Sequence, residues 1–113
     1  MNDKDYKMYI EDMLESIEYI SKFLQNIDEI QFSQNVQLQD AVIRRLGIIG
    51  EAATRLPNDI REKAPKIPWK SVVGLRNIVI HEYSKVSLGK VWEVVQEDLL
   101  PLKEELQKLL LTV

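Results

Sequence analysis

Ile67-Pro68-Trp69-Lys70-Ser71-Val72-Val73-Gly74-Leu75-Arg76-Asn77-Ile78-Val79-Ile80-His81-Glu82-Tyr83 is the stretch on which the reading of this chain turns. Pro68 suits the first turn of a helix, where a missing N–H costs nothing, and the helix is expected to run to about Glu82 or Tyr83. Ile78, Val79 and Ile80 in succession are more apolar than a helix with one covered face requires, so burial on several sides is expected. Nothing elsewhere alternates with period two for long enough to make a strand. The chain therefore reads as all-α, a bundle of four or five helices.

Working outward, Ala64-Pro65-Lys66-Ile67-Pro68 is a stiff connector, since two prolines deny it helical hydrogen bonds. Before it, Leu38, Ala41, Val42, Leu46, Ile49, Ala53 and Leu56 mark a helix that Pro57 stops, with a short extra turn between Asn58 and Lys63. Gly47 and Gly50 within it each cost roughly 1 kcal/mol relative to Ala, and small residues at that spacing predict a close helix–helix approach. Glu51 beside them is either a buried anchor or a solvated surface carboxylate. Asp28 to Asn35 reads as a polar connection, with Ser33 or Asn35 available as a cap. From about Asp3 to Ile27, Tyr6, Ile10, Met13, Ile17, Ile20, Leu24 and Ile27 recur at three and four positions, predicting one long amphipathic helix. Downstream, Ser84 to Ser87 is a polar loop and Ser87 can cap a helix bearing Leu88, Val91, Trp92, Val95 and Leu99. Pro101 either kinks that helix or opens a last one, from Leu102 to Leu111.

At 113 residues the chain is expected to be a single domain, 1–113, with a real core. It has no cysteine, hence no disulfide framework and no thiolate metal site, which favours a reducing compartment. One histidine cannot supply the several nitrogen ligands of a zinc centre, so no metal and no cofactor are expected. The N-terminus lacks the apolar run of a signal peptide, and no apolar run approaches ~20 residues; a cytoplasmic location is expected. The net charge of −3 is unevenly spread. Residues 61–90 hold seven Lys/Arg against Glu62 and Glu82, whereas the remainder holds eight basic and sixteen acidic residues. Such a segment is compatible with a phosphate-seeking surface and equally with ordinary solvated helix faces.

His81 is the only histidine, and so the only side chain whose unperturbed pKa makes it a ready proton carrier near neutrality. Arg76 is a permanent cation shaped to grip a phosphate. On a helix at ~100° per residue, Arg76 and Tyr83 lie almost in line and Asn77 stacks under His81, but Arg76 and His81 are about 140° apart. Two arrangements bring them onto one substrate: fraying of the helix near His81, or packing of two copies across a two-fold axis so that one chain's arginine meets the other's histidine. The second also supplies two imidazoles. Residues of these kinds suit RNA cleavage by the substrate's own 2′-hydroxyl: one imidazole as base, one as acid, and Arg76 on the crowded phosphate, without metal. Asn77 would orient the phosphate or the imidazole, and Tyr83 would stack on a base. As a structural residue, a histidine near a helix C-terminus would instead cap carbonyls.

Several stretches together resemble the HepT-like branch of the HEPN ribonucleases. They are Gln39-Asp40-Ala41-Val42-Ile43-Arg44 with Ile48-Ile49-Gly50-Glu51-Ala52-Ala53, then Leu56-Pro57, Ile67-Pro68-Trp69, Arg76-Asn77 through His81-Glu82-Tyr83, Val91-Trp92 and Asp98-Leu99-Leu100-Pro101-Leu102. The match covers nearly the whole chain. The resemblance implies a HEPN-type all-helical homodimer with a metal-independent endoribonuclease site at its interface, acting as the toxin of a toxin–antitoxin pair. It implies Arg76 and His81 as catalytic, Asn77 as the polar residue following the arginine, and Tyr83 as the acceptor of AMP from a minimal nucleotidyltransferase antitoxin. AMP on Tyr83 would place a bulky negative group in line with Arg76 and compete with RNA for its charge. Two rival classes stand beside the enzyme: a non-catalytic module that binds a nucleotide or a nucleotidyltransferase, which needs Arg76 but no proton carrier, and a purely structural dimerisation bundle, which needs neither.

Overall fold

Two apolar stripes meet at the centre of the molecule. The computed structural model describes residues 3–80 and 87–113. In it the first helix, α1 (Asp3–Phe23), lies along α3 (Val36–Thr54). Ile10, Met13, Ile17 and Ile20 from α1 face Val42, Leu46, Ile49 and Ala53 from α3, none more than 4% exposed. Burial of each large aliphatic side chain contributes about 1.5–3 kcal/mol, so this seam is the main source of stability. Around it stand α5 (Trp69–Gly74) and α6 (Arg76–Ile80), both against α3, and α8 (Leu99–Leu110) against α1, with Leu102, Leu106 and Leu109 turned inward. Short α2 (Glu29–Ser33), α4 (Asn58–Arg61) and α7 (Leu88–Glu93) complete the described α-helices. No strand occurs among the described residues, and none of the described helices is long and apolar enough to cross a membrane.

Four local features differ from the periodicity reading, each for an identifiable reason. The first helix ends at Phe23 rather than Ile27, because the chain turns through Asn26 in the left-handed region (φ 61°). Asparagine tolerates that conformation better than most residues. The expected polar connection contains α2, which is nucleated by a reciprocal capping box: the Gln31 amide donates to Asp28 Oδ1 at 2.8 Å, and the Asp28 amide donates to Gln31 Oε1 at 2.9 Å. This turn drives Phe32 into the core, 1% exposed, against Trp92 of α7 (ring centroids 5.5 Å apart). Asn35 then caps α3 by accepting from the Leu38 amide at 3.0 Å.

The helix opened by Pro68 is interrupted at Leu75, which separates α5 from α6, and its expected end at Glu82 or Tyr83 lies outside the described residues. Near Pro101 the helix does not restart: it widens into a π-helical turn over Val94–Asp98 and continues as α8. A proline at 101 cannot donate to the Glu97 carbonyl and would crowd it in a regular α-helix, so a wider turn at that point removes the conflict. Ser87 caps α7 as expected, accepting from the Lys90 amide at 3.3 Å.

Truncating Phe32 to Ala removes the wedge that joins α2, α3 and α7 and is expected to cost about 3–5 kcal/mol in urea unfolding. Ser16, 1% exposed on α1, has a hydroxyl without a hydrogen-bond partner among the described residues. Ser16→Ala is therefore expected to stabilise the fold, by about 1 kcal/mol in the same measurement.

Candidate functional site

The site is built outward from a point where two backbones touch. A Cβ added at Gly50 would lie 2.5 Å from the backbone nitrogen of Arg76 and 3.1 Å from the carbonyl oxygens of Val72 and Val73. Only glycine admits so close an approach, so α5 and α6 rest directly on α3 at this position. The helix–helix contact expected from the small residues of α3 is therefore present at Gly50, and the residue it seats is Arg76.

The approach to that seat is clamped from the other end. The Trp69 indole Nε1–H donates to the carbonyl oxygens of Arg61 and Ala64, both at 3.1 Å, tying the start of α5 to the end of α4 and the turn after it. Arg61 in turn donates from Nη2 to the Ala53 carbonyl at 2.9 Å and lies over the Trp69 ring, 5.8 Å from its centroid. One of the cations counted toward a phosphate-seeking surface is thus part of the scaffold. The pair Ile67-Pro68 leads into this clamp with Ile67 buried.

Arg76 stands at the first position of α6 with its side chain 43% exposed. Its Nη1 lies 4.0 Å from Glu51 Oε2, and the other oxygen of Glu51 lies 3.8 Å from Arg55 Nη2. Glu51 is exposed, as the solvated alternative expected, and its carboxylate stands between two guanidinium groups. Sequence reasoning passed over Arg55, although its i,i+4 spacing from Glu51 on a predicted helix was the available signal. Asn77 follows Arg76 and is exposed, free to meet a ligand. His81 and Tyr83 lie outside the described residues, so the pairing of Arg76 with His81 is not among the described geometry.

Alongside α5 and α6, on the flank lined by Gly74, Leu75 and Ile78, runs a cleft of about 810 Å³. Val94 and Leu99 line it from the π turn and α8, and its charged residues are Lys66, Lys90, Asp98, Glu104 and Glu105. A Cβ at Gly74 would meet nothing within 4 Å, consistent with an open face there.

Comparison with known proteins gives a consistent family. Residues 13–109 match the model of the family described as ribonuclease HepT-like. A protein of Methanocaldococcus jannaschii that bears the provisional name of an RNase is 43% identical over 107 residues, which is 95% of this chain and 98% of that protein. A Thermococcus cleftensis protein named as a probable ribonuclease HepT is 40% identical over 106 residues, 94% of this chain and 96% of its own. The mRNA nuclease HepT of Shewanella oneidensis is 33% identical over 96 residues, covering 64% of this chain and 72% of that protein. No solved structure gives a significant match.

The two glycines of this region are expected to respond to alanine in opposite directions. Gly50→Ala must push α6 off α3, so despite the better helix propensity of Ala it is expected to lower stability by about 1–3 kcal/mol. Gly74→Ala meets open space at the end of a helix and is expected to be neutral or to stabilise by up to about 1 kcal/mol. Thermal unfolding of the two variants side by side measures the contrast.

Proposed function

The chain belongs to the HepT-like ribonuclease family, and on that premise we propose that it is a metal-independent endoribonuclease, the toxin of a toxin–antitoxin pair. The observation that carries this reading is the seating of Arg76: the arginine that matches the family motif stands on a backbone held by Gly50, with its guanidinium at the surface. The names of the relatives, ribonuclease and mRNA nuclease, support RNA as the substrate class. In the proposed reaction the 2′-hydroxyl of the RNA loses its proton to an imidazole and attacks the adjacent phosphorus. The 5′-oxygen leaves with a proton from a second imidazole, and a 2′,3′-cyclic phosphate remains. Arg76 stabilises the charge that builds on the phosphate oxygens, because a fixed guanidinium meets that charge without reorganising. His81 supplies the imidazole and Asn77 orients the phosphate or the ring.

One histidine per chain makes the second imidazole a contribution of a second copy, so the active unit is a homodimer of the single HEPN-type domain. The apolar flank beside α6, with Leu75 and Ile78 on it, supports a partner on that side. Tyr83 is the acceptor of AMP from a minimal nucleotidyltransferase antitoxin; the adenylate would add bulk and negative charge beside Arg76 and exclude RNA. A cytoplasmic location fits this reading, since transcripts and a co-expressed antitoxin are both found there.

Unmodified protein, its mass verified, is expected to cleave mixed RNA in EDTA and leave cyclic-phosphate ends. Arg76→Ala and His81→Ala, matched for stability, are expected to lose at least 10²-fold in rate, the scale set by losing one transition-state donor or one proton carrier. Intact RNA with wild type, tRNA included, would reject the enzyme in favour of a binding module. Equal cleavage by all three proteins would identify a contaminant and leave Arg76 and His81 without a catalytic role.

A further inference from the structure

Resting on that ribonuclease reading, we infer that Glu51 is a positioning residue for Arg76: its carboxylate orients the guanidinium that meets the scissile phosphate. Two observations converge on it. Gly50 fixes where the backbone of Arg76 begins, through an approach so close that a Cβ there would come within 2.5 Å of the Arg76 nitrogen. The next residue of α3 then places Oε2 at 4.0 Å from Arg76 Nη1. One turn of α3 therefore supplies both the seat of the backbone and the counter-charge of the side chain.

The energetics separate positioning from the alternatives. An ion pair between groups this exposed contributes little to folding stability, so a structural account of Glu51 is weak. As a member of a purely attractive RNA surface it would be counterproductive, because its charge repels phosphate. Orientation is what remains. An arginine whose backbone is fixed still has several rotatable bonds, and a carboxylate at one end of the guanidinium narrows their range while leaving the other N–H groups for substrate. Arg55, 3.8 Å from the second oxygen of Glu51, keeps the trio at a net charge of +1, so the carboxylate does not cancel the attraction for RNA.

The test is Glu51→Gln in the full chain, with RNA cleavage measured at saturating and subsaturating substrate. Positioning predicts a kcat reduced on the order of tenfold, the cost of a modest misplacement, with KM unchanged or lower because a repelling charge is gone and with the thermal midpoint unmoved. Glu51→Gln/Arg76→Ala is expected to be no slower than Arg76→Ala alone, since the carboxylate acts only through the guanidinium. Arg55→Ala, which removes one attracting charge and leaves Glu51 to Arg76, is expected to raise KM, the opposite of the KM change expected for Glu51→Gln. An unchanged kcat in Glu51→Gln overturns the inference, and so does a loss of kcat that follows a loss of thermal stability. Should wild type cleave no RNA, the ribonuclease reading fails on its own account, and NMR of arginine-labelled protein still decides the positioning. Slowed rotation of the Arg76 guanidinium in wild type that is released in Glu51→Gln upholds it, and identical spectra overturn it.

Discussion

The contact on which the rest of the structure depends is the approach of α6 to α3 at Gly50. A hydrogen in place of a methyl group lets two helix backbones meet, and the first residue of the second helix is Arg76. Helices separated by ordinary side chains lie 8–10 Å apart, and their relative position then depends on how flexible groups pack. Removing the side chain replaces that soft spacer with backbone against backbone. The cost is the low helix propensity of glycine in a buried helix, roughly 1 kcal/mol, which the surrounding α1–α3 seam readily offsets.

Other features act in support of this contact. The indole of Trp69 takes two carbonyls at the start of α5, and Arg61 reaches from α4 to the Ala53 carbonyl near the end of α3. Together they tie down the connector that brings the chain back to α3, so that α5 and α6 arrive at Gly50 in one orientation. Elsewhere, Phe32 and Trp92 join the short second helix to α7, and the π turn carries the last helix past Pro101 without breaking it. The charged groups at the site are treated differently from the core. Glu51, Arg55 and Arg76 all remain substantially exposed, where desolvation costs are small and the guanidinium of Arg76 stays available to a phosphate.

Much of this was readable without coordinates. The stripes of α1 and α3, the stop at Pro57, the stiff connector, the cap at Ser87 and the class of fold all follow from local rules of periodicity and chain stiffness. The close approach at the small residues of α3 was also legible, because glycine in a helix interior is costly unless packing requires it. The short second helix was missed because five residues show no period; its signal was the spacing of Asp28 and Gln31, a capping box without an apolar run behind it. The π turn was missed for a similar reason, since a proline announces a conflict but not how the backbone relieves it.

The division between sequence and tertiary structure follows from the range of the forces involved. By itself the sequence determined the long helices and several of their ends, the candidate arginine, asparagine, histidine and tyrosine, and, by resemblance, the family. Each of these depends on interactions within a few residues or on a pattern of residue types. Only the tertiary structure decided that Arg76 sits on Gly50, that Arg61 belongs to the scaffold, and that Glu51 stands between Arg55 and Arg76. Those pairings join residues up to 26 positions apart, and contacts of that kind are set by how whole helices pack, which no local propensity encodes.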